Sequence, residues 1–319
     1  MQDTILTTTQ RRPRVLFFGM QGDFSTPSLQ ALLTSDIEVC AVVVPITPIP
    51  GLKQPSIQLR EQPRGTRSAL PLVSLHPSII QIAWQNQIPV WEVRSLSDAA
   101  TYPTLVAYKP DIICVACFSQ RIPRSILELP HLGCLNVHPS LLPTNRGPVP
   151  LFWTFRNDEH RTGVTIHFLE ETMDTGDILA QEHIQVPDGI SYAQLEMQCA
   201  TRGGELLASV VQDLYEDHLI RTPQDPAKST YHSFPTNEDF VVHAEESDAQ
   251  YIYTFVNGVG HWDRPVEIYT NGQTFFCREC ISYSLVTTKD QLRQGPFLSN
   301  REVNLACHNG WVKLRLLES

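Results

Sequence analysis

Three uniformly apolar runs constrain the fold of this chain more than any other feature. Arg14-Val15-Leu16-Phe17-Phe18, Glu38-Val39-Cys40-Ala41-Val42-Val43-Val44 and Asp111-Ile112-Ile113-Cys114-Val115-Ala116 are apolar at successive positions, not at alternate ones. Strands of this kind are buried on both faces, as in a parallel sheet covered by helices. Between the first two runs, Ser25, Thr26 and Pro27 open a helix with Leu29, Leu32 and Leu33 on one side, so the chain begins β-α-β. Further strands are expected at 88–90 and 133–138, with helical stretches near 78–87, 96–107 and 123–129. The alternation predicts an α/β fold with a Rossmann-like, doubly wound, mostly parallel sheet.

From residue 161 the pattern changes. Strands at 162–168 and 178–181 enclose the polar turn Met173-Asp174-Thr175-Gly176-Asp177, and a long amphipathic helix is expected over 191–218. Pro223, Pro226 and Pro235 mark a stretch without apolar period. At 319 residues the chain is long for a single core. The expected division is a catalytic domain over 14–218, a linker over 219–239 and a small carboxyl-terminal domain over 240–319. A short helix at 249–256 and strands at 265–270, 273–286, 302–307 and 310–316 give that last domain the pattern of a compact, OB-like β-barrel.

The net charge of −10 is unevenly spread: residues 1–150 carry 12 Lys/Arg against 9 Asp/Glu, and 151–319 carry 12 against 25. Much of the basic excess lies in 45–77, which has no apolar period and is expected to be a long exposed loop. Its Lys53, Arg60, Arg64 and Arg67 are candidate contacts for a phosphate-bearing acceptor. No stretch of about 18 uncharged apolar residues occurs, and the amino terminus lacks a basic start followed by an apolar run, so a cytoplasmic protein without a membrane span is expected. The eight cysteines sit mostly in apolar runs and read as buried thiols of a reducing compartment. Cys114/Cys117 and Cys277/Cys280 are too widely separated for a zinc ribbon, and cysteines three apart on a strand are expected to point to opposite faces. No metal is expected. Gly19-Met20-Gln21-Gly22 does not fit the dinucleotide fingerprint, so no nicotinamide site is expected either.

Asn136 and His138 alternate at the end of an expected parallel strand, so both side chains leave one face, next to the crevice where open α/β sheets bind ligands. An amide donor there can hold a developing oxyanion, a contribution of about 2.7–4 kcal/mol when well placed. The imidazole can stabilise the same oxygen when protonated or remove a proton when neutral. Asp174 is the candidate partner that sets the state of the imidazole. Taken singly, His138-Pro139 is also a strand end entering a turn, and Asp174-Thr175-Gly176 a plain hairpin turn.

Taken together, Asn136-Val137-His138-Pro139-Ser140-Leu141-Leu142-Pro143, then Arg146-Gly147, then Asp174-Thr175-Gly176-Asp177 resemble the 10-formyltetrahydrofolate-dependent formyltransferase family. That family's pattern is Asn-x-His, Ser-Leu-Leu-Pro-x-x-Arg-Gly-x-x-Pro and Asp-x-Gly-Asp. The resemblance covers about residues 14–218, and the segments beyond resemble the linker and carboxyl-terminal barrel of methionyl-tRNA formyltransferases. It implies transfer of a formyl group from 10-formyltetrahydrofolate to a primary amine, with Asn136, His138 and Asp174 as the catalytic residues. It also implies a folate site formed by Phe118, Ser119, Gln120, Arg121 and Ile122 together with Ser140, Leu141, Leu142 and Pro143, while Arg146 joins the basic loop toward the acceptor. Gly-Met-Gln-Gly at 19–22 replaces the family's usual Gly-Thr-Pro.

Two acceptors fit the resemblance. Domain layout and the position of the basic loop favour the amino group of methionyl-tRNA. Thr144-Asn145-Arg146-Gly147, the Phe152-Trp153 pair and the 9 basic against 12 acidic residues of 220–319 favour an amino-sugar nucleotide or another small amine. A formyltetrahydrofolate hydrolase and a silent folate or tRNA binder are further alternatives, the binder being opposed by the intact set of three polar residues.

Overall fold

The structure is a computed structural model that describes residues 11–47, 49, 51, 54–63, 77–286, 297–299 and 301–317. The chain forms two compact units that interleave along the sequence. One comprises the residues up to His138 with Thr165–Gln181 and Ala200–Gln224; the other comprises Pro139–Val164, Glu182–Cys199 and the residues from Asp225 onward.

The elements of the first 215 residues are β1 (Arg14–Gly19), α1 (Ser25–Thr34), β2 (Glu38–Pro45), β3 (Ile57–Leu59), α2 (Ile79–Gln85), β4 (Val90–Val93), α3 (Thr101–Val106), β5 (Ile112–Ala116), α4 (Arg124–Leu127), β6 (Cys134–His138), α5 (Pro150–Arg156), β7 (Arg161–Phe168), β8 (Ile178–Gln185) and α6 (Tyr192–Tyr215). Their strands form one sheet in the order β3-β4-β2-β1-β5-β6-β7-β8. The five strands from β4 to β6 run parallel, while β3 runs antiparallel to β4 and β7 antiparallel to β6. Val15 to Phe18 of β1 and Ile112 to Cys114 of β5 have no solvent exposure, as expected for strands covered on both faces. From β1 the chain winds outward to β2 and later returns to β5 on its other side, so the order reverses between β1 and β5. Open α/β sheets bind ligands beside such a reversal. Ser25 Oγ ties this point together, accepting from Met20 N (3.0 Å) and donating to the Ala116 carbonyl (2.6 Å).

Local signals explain the helices. Ser78 and Gln81 form a capping box at the start of α2, each side chain satisfying the other's main-chain N–H. The strand expected at 88–90 is displaced to Val90–Val93, where it pairs in parallel with β2.

The stretch 45–77 is not a featureless loop, because Ile57–Leu59 adds an antiparallel edge strand to β4. Glu92, buried in β4, holds that strand by accepting from Gln58 Nε2 (2.7 Å) and Arg60 Nη1 (2.5 Å). A three-residue strand is too short to show a period, which is why the sequence hides it.

In the other unit, β9 (Val241–His243), α7 (Ala249–Val259), β10 (Val266–Thr270), β11 (Gln273–Leu285), β12 (Phe297–Ser299), β13 (Glu302–Ala306) and β14 (Gly310–Leu316) build the small β structure. The sheet order is β12-β13-β14-β11-β10-β9, antiparallel except for the β9–β10 pair. An aromatic core anchors this unit: the Phe152 ring centroid lies 5.1 Å from that of Phe240 and 4.9 Å from that of Trp262. The segment 139–147 is fixed within the same unit. Asn145, at φ +54, donates to the Glu159 carboxylate, and Arg146 bridges to Tyr231. At Gly147 (φ +119) an added Cβ would stand 2.0 Å from the His232 carbonyl oxygen, so a side chain has no room there.

The cysteine pairs depart from expectation. Cys277 and Cys280 are both buried, because a register shift between Cys277 and Glu279 inserts a residue and resets which face is inward. Cys114 is buried, whereas Cys117, just beyond β5 at φ +58, is exposed. No helix among the described residues is long and apolar enough to cross a membrane.

Candidate active site

The site is assembled by the β6–β7 pairing and the turn that follows it. On β6, Asn136 and His138 share a face, and antiparallel register sets His167 opposite Asn136 and Thr165 opposite His138. Beyond β7 the chain turns back through Asp174, which adopts φ +56. The turn lies close against β7: a Cβ added at Gly176 would sit 2.1 Å from the Phe168 carbonyl oxygen. Gln224 clamps it, its Nε2 donating to the carbonyls of Asp174 (2.9 Å) and Gly176 (2.7 Å). The Arg221 guanidinium covers the Phe168 ring at 4.3 Å.

Four polar side chains converge as a result. Asp174 Oδ1 lies 3.8 Å from His138 Nδ1 and 3.7 Å from His167 Nε2. The Asn136 and His167 side chains approach to 3.2 Å through Nδ2 and Nε2, and His167 Nδ1 lies 2.8 Å from the Phe168 carbonyl. His138, His167 and Asp174 are 4 %, 0 % and 7 % exposed. Burial matters because charges interact more strongly away from bulk water. An amide donor, an imidazole and a carboxylate so placed can bind a developing oxyanion and move a proton. Donor atoms of His138, His167 and Asp174 also lie within 4.8 Å of one another, near enough to meet at one cation.

The remaining expected site residues are distributed differently. Phe118 packs its ring 5.2 Å from Phe18 in the core, with Ile122 against the same cluster. Gln120 donates to the Val93 carbonyl (2.9 Å) and accepts from Leu96 N (3.2 Å), while Arg121 donates to the Glu171 carbonyl (2.9 Å). These side chains shape the loop after β5, and Ser119 is exposed on it. Ser140, Leu141, Leu142, Pro143 and Arg146 belong to the other unit, where Ser140 Oγ donates to the Thr144 carbonyl and Leu142-Pro143 is a cis peptide.

Arg60 is not brought to the site. Strands β4, β2, β1 and β5 separate β3 from β6, a distance of about 24 Å at the usual strand spacing. Its charge is matched by buried Glu92. Lys53, Arg64 and Arg67 lie outside the described residues. Two contributors escape sequence reasoning, His167 and Gln224. His167 reads as one of several polar residues scattered along its strand, and only the register with β6 shows it facing Asn136.

Residues 14–211 match the family described as formyl transferase. The chain belongs to the formyl transferase family. It is therefore an enzyme of formyl transfer, and the cluster of Asn136, His138, His167 and Asp174 lies within the matched region. A similar relative is a methionyl-tRNA formyltransferase of Syntrophus aciditrophicus (strain SB), 35% identical over 256 residues, 76% of this chain and 76% of that protein. Among solved structures, an N-formyltransferase from Helicobacter canadensis in complex with folinic acid and dTDP-3-aminofucose superposes with a TM-score of 0.65 at 15% identity, covering 94% of this chain and 98% of that one. HypX from Aquifex aeolicus in complex with tetrahydrofolic acid gives 0.59 at 17% identity, covering 95% of this chain but only 44% of that one. At these identities the two structures establish a common fold for this formyl transferase.

Proposed function

We propose that this formyl transferase carries the formyl group of 10-formyltetrahydrofolate to the amino group of methionyl-tRNA. The observation that carries the reading is the convergence of half-buried Asn136 with buried His138 and Asp174 at the carboxyl end of β6. In the reaction the amine nitrogen attacks the formyl carbon, forming a C–N bond and placing negative charge on the formyl oxygen. Asn136 donates to that oxygen, and His138, oriented by Asp174, handles the proton lost by the amine. The bond from the formyl carbon to N10 then breaks, the proton passes to N10, and tetrahydrofolate leaves. The loop carrying Phe118 to Ile122 lies beyond β5, next to the strand-order reversal where a pterin would enter. Catalysis is assigned to residues 14–218, joined through 219–239 to a small domain over 240–319, in a protein of the cytoplasm that needs no metal for this chemistry.

The tRNA acceptor is supported by 35% identity to a methionyl-tRNA formyltransferase over most of both chains. One observation favours an amino-sugar nucleotide instead: Arg60, one of the four basic residues available for a nucleic-acid backbone, is paired with Glu92. The deciding experiment offers 10-formyltetrahydrofolate with either methionyl initiator tRNA or amino-sugar nucleotides and follows both tetrahydrofolate release and the formylated product. Formyl-methionyl-tRNA is expected. Formylation of the sugar nucleotide alone overturns the acceptor, and tetrahydrofolate release without any formylated amine identifies a hydrolase. If tRNA is bound, neutralising Lys53, Arg64 and Arg67 together flattens the salt dependence of binding.

A further inference from the structure

His167 is fully buried, faces Asn136 across the β6–β7 pair, and belongs to none of the motif positions that define the site. Its hydrogen-bond partners select between its two neutral tautomers. The Phe168 carbonyl, 2.8 Å from Nδ1, can only accept, so Nδ1 carries the ring hydrogen. Nε2 of the neutral ring is then an acceptor, and Asn136 Nδ2 lies 3.2 Å from it. A carboxamide nitrogen bears two hydrogens in fixed, coplanar directions. Once one of them is given to Nε2, the direction of the other is set. An amide turned the opposite way would bring its oxygen against the Nε2 lone pair, acceptor facing acceptor.

We propose that His167 is the positioning residue for Asn136. Its locked Nδ1–H tautomer selects the orientation of the amide and aims the remaining N–H at the formyl oxygen. The proposal rests on the formyl-transfer reading above and adds to it the element that preorganises the oxyanion donor. Preorganisation matters because a donor that must rotate during the reaction loses much of its effect on the transition state. At 3.7 Å, Asp174 Oδ1 is beyond hydrogen-bond reach of Nε2.

Three variants of the full chain test this by steady-state kinetics. His167→Gln places a carboxamide oxygen where Nε2 stands and keeps an acceptor for Asn136. His167→Asn reaches only the Nδ1 position, and His167→Leu fills the space with no acceptor. The expected result is His167→Gln within about threefold of the parent in kcat, with the Asn and Leu variants losing at least about tenfold in kcat at unchanged KM for the formyl donor. Equal losses in the Gln and Asn variants, or a loss confined to KM, overturn the proposal. A second measurement does not depend on turnover: 15N NMR of histidine-labelled protein, with the His167 signal assigned by its absence in the Asn variant. A bare Nε2 on a neutral ring is expected, and a hydrogen on Nε2 overturns the assignment. If the parent protein formylates no amine offered, the reaction reading fails, while the NMR result still decides the tautomer.

Discussion

Asp174 reaches His138 from the left-handed region of backbone space, its Oδ1 3.8 Å from the imidazole Nδ1. That separation is longer than a hydrogen bond; such contacts commonly tighten when substrate arrives. Asp174→Asn preserves size and the main-chain clamp from Gln224 but removes the charge. A fall in kcat of about a hundredfold, with folded content by circular dichroism unchanged, is expected. Near-normal turnover would show that the carboxylate does not act through His138.

The imidazole is expected to act on the transition state, not on the bound cofactor. His138→Ala should therefore reduce kcat at least about a hundredfold while leaving the affinity for the folate nearly unchanged. Equilibrium binding by fluorescence titration, run beside the kinetics, separates the two quantities. Loss of folate binding in this variant would place the ring in the binding site instead.

The turn that carries Asp174 depends on the absence of a side chain at Gly176. Gly176→Ala sets a Cβ 2.1 Å from the Phe168 carbonyl oxygen, and main-chain atoms there cannot yield by rotating a side chain. We expect a loss of about 1–3 kcal/mol in stability together with a fall in turnover. Gln224→Ala, which removes both clamping hydrogen bonds, should cost about 1–2 kcal/mol and lower kcat in the same direction. Thermal melts and rates on both variants check the linkage.

Arg60 should prove structural. Its side chain is 38% exposed while that of Glu92 is only 8% exposed, so removing the cation leaves a buried carboxylate short of a partner. Arg60→Ala is expected to destabilise the protein by about 1–3 kcal/mol. Denaturant unfolding measures that loss, and a stability equal to the parent's would return Arg60 to the list of acceptor contacts.

Thiol labelling should divide the cysteines by burial. Burial pushes the thiol of Cys40 up to about 11 and those of Cys134, Cys199, Cys277 and Cys307 up to about 12, so few thiolates are present near neutral pH. Brief treatment of native protein with iodoacetamide should modify Cys117 first, and all eight cysteines after denaturation. Peptide mass spectrometry reads the pattern, and rapid labelling of Cys277 or Cys280 in native protein would contradict the packing of β11.

What the sequence determined by itself was local. Uniform apolar runs such as 14–18 and 38–44 read as covered parallel strands, and alternation set Asn136 and His138 on one face, because strand periodicity depends only on neighbouring residues. The Asp174 turn was visible as a polar break between apolar strands. Tertiary structure decided the rest. His167 meets Asn136 through cross-strand register, Gln224 returns from beyond α6 to clamp the turn, Arg60 finds Glu92 through an edge strand of three residues, and a bulge turns Cys277 and Cys280 to the same buried side. Each of these joins segments distant in the chain, and such contacts are set by how whole elements pack and register, which no local pattern of residues encodes.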